Sequence, residues 1–317
     1  MRVLISKREF EGYEETYTSI SPDYEFLVVS SQEEALQAAP QAEVILGGYV
    51  SGEILQAAGN LRWLQVGSTG VDPIFRKWPW VRDGDFVITN AKGVHGIPMA
   101  ESILAMMLAF VRNVKEAVEQ RPNRKVIRRP PEGELAGKTI LVLGLGSVGE
   151  NTAKRAKAFE MKVLGVRRNP ELGSDYADEV HAPDKLLELI PRADFIADTL
   201  PLTQDTYHII GEREIAAMKP TAFIFNVGRG KTIDQQALKK ALLGHRIAGA
   251  GLDVFEVEPL PPGDEMWDLD NVIFTPHISG VSKSGNPRRH AALFSENLRR
   301  FAAGEPLLNI VDKKAGY

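Results

Sequence analysis

The chain of 317 residues is long enough for two domains with separate cores, and its 44% hydrophobic and 25% charged residues are ordinary globular values. A net charge of −4 gives no reason to expect a nucleic-acid or membrane partner, and the absence of cysteine excludes disulfides, thiolate nucleophiles and cysteine-ligated metals; no metal site is expected. The apolar run at 3–5 is too short for a signal peptide and the stretch 103–111 is about half a membrane span, so a cytoplasmic protein is expected.

Short strands are predicted at 2–5, 25–29, 44–46, 61–66 and 86–89, with helical patterns at 32–39 and 51–58 between them. Such alternation predicts a parallel sheet. At 93–98 two glycines and a proline punctuate the chain, and 99–118 then reads as one long helix with Pro98 in its first turn. Its apolar residues (Ile103, Leu104, Met106, Met107, Leu108, Phe110, Val111) exceed one face, so it is either buried in its own domain or set against a partner. Residues 120–134, with Arg121, Arg124, Lys125, Arg128 and Arg129 among prolines, read as an exposed crossover rather than an anion site.

Residues 139–149, Thr-Ile-Leu-Val-Leu-Gly-Leu-Gly-Ser-Val-Gly, are the stretch around which the second domain is organised. An apolar strand runs into Gly144, Gly146 and Gly149 in G-x-G-x-x-G spacing, then a helical pattern and a second strand at 162–166. Gly144 permits the tight turn, Gly146 admits a pyrophosphate to the backbone, and Gly149 lets the helix pack on the sheet. Phosphates would sit at the helix N-terminus. Further strands at 194–200, 222–227, 247–254 and 272–275, separated by helices at 184–190, 212–218 and 235–243, complete a doubly wound sheet. An amphipathic helix near 288–303 closes the chain and returns to the first domain.

The second strand of this unit ends in Arg167-Arg168, with no Asp or Glu from 162 to 169. A carboxylate there would accept from a ribose 2′-OH, whereas arginine binds a 2′-phosphate; exposed strand ends also carry arginine without a ligand. Three polar sites follow strand carboxyl ends. Arg229, between Gly228 and Gly230, is either a bidentate clamp for a carboxylate or a surface arginine. Asp253 falls within an apolar strand and needs a donor, while Glu258 precedes a proline-rich turn. Of six histidines, His181, His245 and His290 lie in settings that look solvated, His208 in a loop and His95 at the first hinge. Only His277 combines a strand end, a glycine-rich loop and a candidate carboxylate partner. In the first domain, Ser68, Thr69 and Gly70 form either an anion-binding loop or a plain strand–helix turn.

On the motifs at 144–149, 194–203, 226–230, 252–261 and 271–279, in that order and spacing, the chain resembles the D-isomer-specific 2-hydroxyacid dehydrogenase family over nearly its full length. The resemblance implies two Rossmann-like α/β domains with an active-site cleft between them, a discontinuous substrate domain (1–96 and 284–317), a dinucleotide domain (97–283) and a homodimer formed through the long helix. Arg229 then matches the substrate-binding arginine, Glu258 the acid partner and His277 the acid/base. Asp253 matches the aspartate that meets the nicotinamide amide, and Ser68, Thr69 and Gly70 the loop over the substrate carboxylate. The implied cofactor set is Gly144, Gly146, Ser147, Val148, Gly149, Arg167, Arg168, Leu200, Pro201, Thr206, Val227 and Asp253. Reduction of a 2-keto acid needs a hydride from the nicotinamide and a proton for the carbonyl oxygen, and a carboxylate beside His277 favours the form that can donate it.

The sequence departs from many relatives in two places. Arg167-Arg168 replace the usual acid, as in members resembling glyoxylate/hydroxypyruvate reductases, so NADP(H) is expected to be preferred and NAD(H) accepted. Residues 120–134 lack a tryptophan many relatives carry, which leaves the preferred 2-keto acid open. Glu258 stands where a formate dehydrogenase would carry glutamine, and the tail after Ser279 shows no added regulatory domain. A nucleotide-sensing corepressor or scaffold on the same fold is the alternative, disfavoured by the lack of disordered extensions.

Overall fold

A computed structural model describes residues 1–120, 122, 124, 133–314 and 316. The chain divides into two units, one of Met1–His95 with Ser282–Tyr317 and one of Gly96–Val281.

The first unit is built on strands β1 (Arg2–Ser6), β2 (Glu25–Val29), β3 (Val44–Leu46), β4 (Trp63–Gln65) and β5 (Val87–Thr89). They form one parallel sheet in the order β2-β1-β3-β4-β5. The inner strands are apolar without alternation because both faces are covered. Leu4, Ile45, Leu64 and Phe75 fill one side, while Val3, Val44, Trp63, Phe294 and Leu298 fill the other. The closing helix Gly285–Ala303 thus supplies part of this unit's core, with Phe294 5.4 Å from Trp63 between ring centroids.

The second unit carries β6 (Thr139–Leu143), β7 (Lys162–Val166), β8 (Glu179–His181), β9 (Phe195–Asp198), β10 (Phe223–Asn226), β11 (Gly249–Leu252) and β12 (Val272–Phe274). Their order is β12-β11-β10-β9-β6-β7-β8, all parallel, and it reverses between β6 and β9. That reversal is the crevice where doubly wound sheets bind ligands. Leu143, Asp198, Asn226, Leu252 and Phe274 lie in register across the carboxyl ends, so Gly144, Thr199, Val227, Asp253 and Thr275 each begin a loop at that edge.

Three expectations need correction. The apolar segment after Pro98 is two helices, Gly96–Val111 and Val114–Gln120, bent by 69°. Asn113 takes the left-handed conformation at φ 54° and ends the first. The apolar excess of that helix faces its own unit: Ile103, Met107 and Phe110 pack with Ile140, Val142 and Phe225. Asp253 lies one residue beyond β11, not within it. His290 is packed into the first unit rather than solvated, and β8 was not foreseen. Of the expected basic crossover, Arg121, Lys125, Arg128 and Arg129 lie outside the described residues. No single helix among the described residues is long and apolar enough to cross a membrane.

Candidate active site

At the switch point, Gly144 turns out of β6 at φ 89°, with the space of a Cβ bounded by Leu200 and Thr199. The Thr199 hydroxyl braces the turn beside the Leu143 and Gly144 carbonyls, at 2.9 and 2.8 Å. A Cβ on Gly149 would drive into the Gly144 carbonyl, so helix Ser147–Ala158 approaches the sheet only through glycine. Over Gly146 the corresponding space is open, with no atom within 4 Å. Gly146 is also the helix N-cap and has no side chain to satisfy the first-turn N–H groups, the setting a pyrophosphate needs. The residues therefore fit a dinucleotide. Leu200 N–H donates to Asp198 Oδ1 at 3.0 Å, and Thr206 Oγ1 donates to the Pro201 carbonyl at 2.6 Å, which hold the facing loop. Val227 N–H donates to the Asp198 carbonyl.

The end of β7 is less simple than its sequence. Arg167 Nη1 donates to the Gly173 carbonyl at 2.7 Å and lies 3.9 Å from Glu150 Oε1. Glu150, on the helix after Gly149, thus brings a carboxylate beside the strand end that no acid at 162–169 supplies; its other oxygen accepts from Ser174 Oγ at 2.7 Å.

On the other side of the crevice, His277 Nδ1 lies 2.7 Å from Glu258 Oε2. The second Glu258 oxygen accepts from Phe255 N–H at 3.0 Å, so the carboxylate is tied to its own loop. His277 occupies the left-handed region at φ 54°, a strained placement for a residue with a Cβ. Asp253 holds it there. Its carbonyl accepts from His277 N–H at 2.9 Å, and its buried carboxylate accepts from Thr275 Oγ1, Ile278 N–H and Ser279 N–H at 2.6, 2.9 and 3.0 Å. That carboxylate is therefore already engaged by the loop bearing His277.

Arg229 sits in a loop with no slack. A Cβ on Gly228 would strike the Leu200 backbone, and one on Gly230 would land in the backbone of Phe255 and Glu256. Three donors converge on the Arg229 carbonyl: Asn226 Nδ2 at 3.0 Å, Thr232 N–H at 3.1 Å and Thr232 Oγ1 at 2.6 Å. The same threonine hydroxyl contacts Asp198 Oδ2, and Asp198 is fully buried.

In the first unit, every carbonyl of residues 67–70 is taken. Gly67 O faces His95 Nε2 at 3.2 Å, Ser68 O accepts from Ala91 N–H, Thr69 O from Asn90 Nδ2 and Gly70 O from Ser68 Oγ. The N–H groups of Ser68, Thr69 and Gly70 have no acceptor among the described residues.

Reasoning from sequence gave no role to Asp198, Thr232 or Asn286 and placed His95 only at a hinge; a lone carboxylate in the apolar run 195–198 was the one available signal. Ligand atoms of His208, Asp234 and Glu256 also cluster within 4.8 Å, but His208 pairs with Glu256 at 2.9 Å and Asp234 caps helix Gln235–Leu243.

Comparison with known proteins identifies the family. Residues 104–279 match the family model of the D-isomer specific 2-hydroxyacid dehydrogenase NAD binding domain. The chain is 37% identical over 276 residues to a glyoxylate reductase of Korarchaeum cryptofilum, covering 84% of this chain and 80% of that one. A D-isomer specific 2-hydroxyacid dehydrogenase family protein from Aeromonas salmonicida superposes with a TM-score of 0.86 at 31% identity, covering 98% of each chain. A family member from Xanthobacter autotrophicus, solved in complex with NADPH and MES, gives 0.80 at 27% identity, covering 100% of this chain and 99% of that one. The chain belongs to the D-isomer-specific 2-hydroxyacid dehydrogenase family and is an NAD(P)-dependent oxidoreductase.

Proposed function

We propose that this dehydrogenase reduces a small 2-keto acid, of the size of glyoxylate or hydroxypyruvate, to the D-2-hydroxy acid, with NADP(H) preferred and NAD(H) accepted. The observation that carries the reading is the 2.7 Å pair of His277 and Glu258 at the carboxyl edge of the dinucleotide-binding sheet. Glu258 accepts a hydrogen bond from His277 Nδ1–H and fixes the ring, which leaves Nε2–H as the group that passes a proton to the carbonyl oxygen. Arg229 matches a carboxylate in geometry and charge and polarises the neighbouring ketone. In the first unit, the amides of Ser68, Thr69 and Gly70 are assigned to a substrate carboxylate. Gly144, Gly146, Ser147, Val148 and Gly149 would hold the cofactor pyrophosphate, and Leu200, Pro201, Thr206, Val227 and Asp253 would border the rest of the cofactor. The nicotinamide cofactor, when bound, supplies the hydride.

NADP(H) preference is supported by the two basic residues at the end of β7 and by the Xanthobacter relative solved with NADPH. Arg168, the second basic residue at the end of β7, is assigned to the 2′-phosphate beside Arg167, which also donates to the Gly173 carbonyl. Steady-state turnover with glyoxylate, hydroxypyruvate and pyruvate, each with NADPH and NADH, tests the proposal; no turnover with any 2-keto acid would sink it. We also propose a homodimer. Its support is not the apolar excess of helix Gly96–Val111, which is internal, but the exposed Val114 and Val118 on the next helix. Sedimentation should give twice the 35.0 kDa chain mass.

A further inference from the structure

We infer that Asp198 in its neutral form is a positioning residue for Arg229, donating to the Thr232 hydroxyl, which in turn donates to the Arg229 carbonyl. The inference rests on the reading that Arg229 holds the substrate.

The proton count is set by which atoms can donate. Thr232 Oγ1 lies 2.6 Å from Arg229 O, and a carbonyl donates nothing, so the proton in that contact is the threonine's. A hydroxyl has one proton. The contact between Thr232 Oγ1 and Asp198 Oδ2 must therefore take its proton from the acid. Asn226 Nδ2, 3.4 Å from Thr232 Oγ1, adds a second donor to the threonine oxygen. The other Asp198 oxygen accepts from Leu200 N–H at 3.0 Å, which leaves Oδ2 as the protonated atom.

The surroundings favour the neutral form. Asp198 is fully buried, with Leu143 of β6 and Asn226 of β10 beside it in register. The charged residues of the adjoining loop and helix start are Arg229, Lys231 and Asp234, and none of them offsets the burial. Burial pushes the Asp198 carboxyl up to about 6, against the lowering pull of the Leu200 N–H.

Ionisation reverses the relay. The threonine proton turns to the carboxylate, and the oxygens of Thr232 and Arg229, 2.6 Å apart, are left facing each other with no proton between them. Gly228 and Gly230 are gripped by the Leu200 and Phe255 backbones, so the displacement falls on Arg229 itself. Substrate affinity then falls as pH rises through the titration of a residue that never touches substrate.

The test compares KM for glyoxylate and Kd for oxamate, with NADPH present, from pH 5 to 8 in the wild type, Asp198→Asn and Thr232→Val. The His277–Glu258 pair is unaltered in all three, so differences between the profiles isolate the relay. The wild-type KM should rise about tenfold more than that of Asp198→Asn, whose amide donates to Thr232 at every pH. Thr232→Val should show the high value throughout, and Thr232→Ser the wild-type profile. Infrared difference spectra should show a protonated-carboxyl band that titrates near pH 6 and is missing in Asp198→Asn. A carboxyl titrating near pH 4, or an Asp198→Asn profile that overlays the wild type, would overturn the inference. The wild-type spectrum decides even if a variant does not fold. Arg229→Gln with unaltered oxamate binding would instead remove the underlying reading.

Discussion

His277 and Glu258, 19 residues apart in sequence, meet at 2.7 Å, and the carboxylate that orients the ring is itself pinned by the Phe255 amide at 3.0 Å. The ring is held at one nitrogen by Glu258 and along its backbone by Asp253, so little freedom remains at Nε2. Replacing His277 with alanine should lower kcat by on the order of a hundredfold or more. Glu258→Gln keeps the shape but not the charge and should cost less, roughly tenfold. Arg229→Ala should raise KM for the keto acid and also slow turnover, because it acts on ground and transition states. Steady-state kinetics at saturating NADPH check all three, and near-normal turnover by His277→Ala would identify the wrong acid.

A second network sits behind the amides of residues 68–70. Arg289 Nη2 donates to Asn286 Oδ1 at 2.7 Å, which turns the Asn286 amide toward His95 Nδ1 at 3.0 Å. His95 must then carry its proton on Nε2, where it donates to the Gly67 carbonyl at 3.2 Å. The fixed charge of Arg289 thereby sets the amide, the amide sets the tautomer, and the tautomer holds the loop. His95→Ala should raise KM for the keto acid by about threefold to tenfold with kcat within a factor of two. His95→Gln, which can donate to the same carbonyl, should restore most of the loss. An unchanged KM in His95→Ala would mean that Gly67 needs no such anchor.

His290 gives the first unit a pH dependence of stability. Burial pushes its pKa down to about 4, with His95 and Arg289 adding repulsion. The folded value lies below the ordinary 6.5, so the unfolded chain binds the proton more readily. The contribution is fully present above about pH 6.5 and is lost as pH falls toward 4. The loss is on the order of 2 kcal/mol after allowance for partial solvent contact. Thermal unfolding of the wild type and His290→Gln at pH 7 and pH 4.5 checks it. The wild-type transition should drop several degrees further than that of the variant; equal drops would contradict the burial argument.

Strands such as β6 and β7 were legible to the residue because a continuous apolar run ends in glycine or arginine. β8 was not, since Glu179, Val180 and His181 form a half-exposed sheet edge with no apolar run to mark it. Periodicity also could not see the break at Asn113, because the cause is a single left-handed residue. His290 reads as solvated from its neighbours Arg288 and Arg289, although Asn286 and Phe294, one helical turn to either side, mark its inward face. Asp198 shows the deeper limit. Its position at a strand end was readable, but its protonation depends on Thr232, 34 residues later, and on burial from every side.

We expect cofactor choice to turn on the two adjacent arginines at the end of β7. Arg167 donates to the Gly173 carbonyl and lies near Glu150, so its guanidinium already serves the turn at 170–173. A 2′-phosphate carries nearly two negative charges near neutral pH, by analogy with phosphorylated side chains. Glu150 opposes it, and Arg167 offsets part of that charge in place. Discrimination is expected from Arg168, where charge-assisted contacts to a phosphate would be worth about 1.5–3 kcal/mol, or roughly ten- to a hundredfold. The wild type should favour NADPH over NADH by at least about tenfold in kcat/KM. Arg168→Ala should remove most of that preference and leave NADH kinetics nearly unchanged. Arg167→Ala should act mainly on the 170–173 turn, lowering thermal stability and weakening both cofactors alike, and Glu150→Gln should strengthen NADPH selectivity. Equal use of NADPH and NADH by the unaltered enzyme would reduce both arginines to a charged strand end.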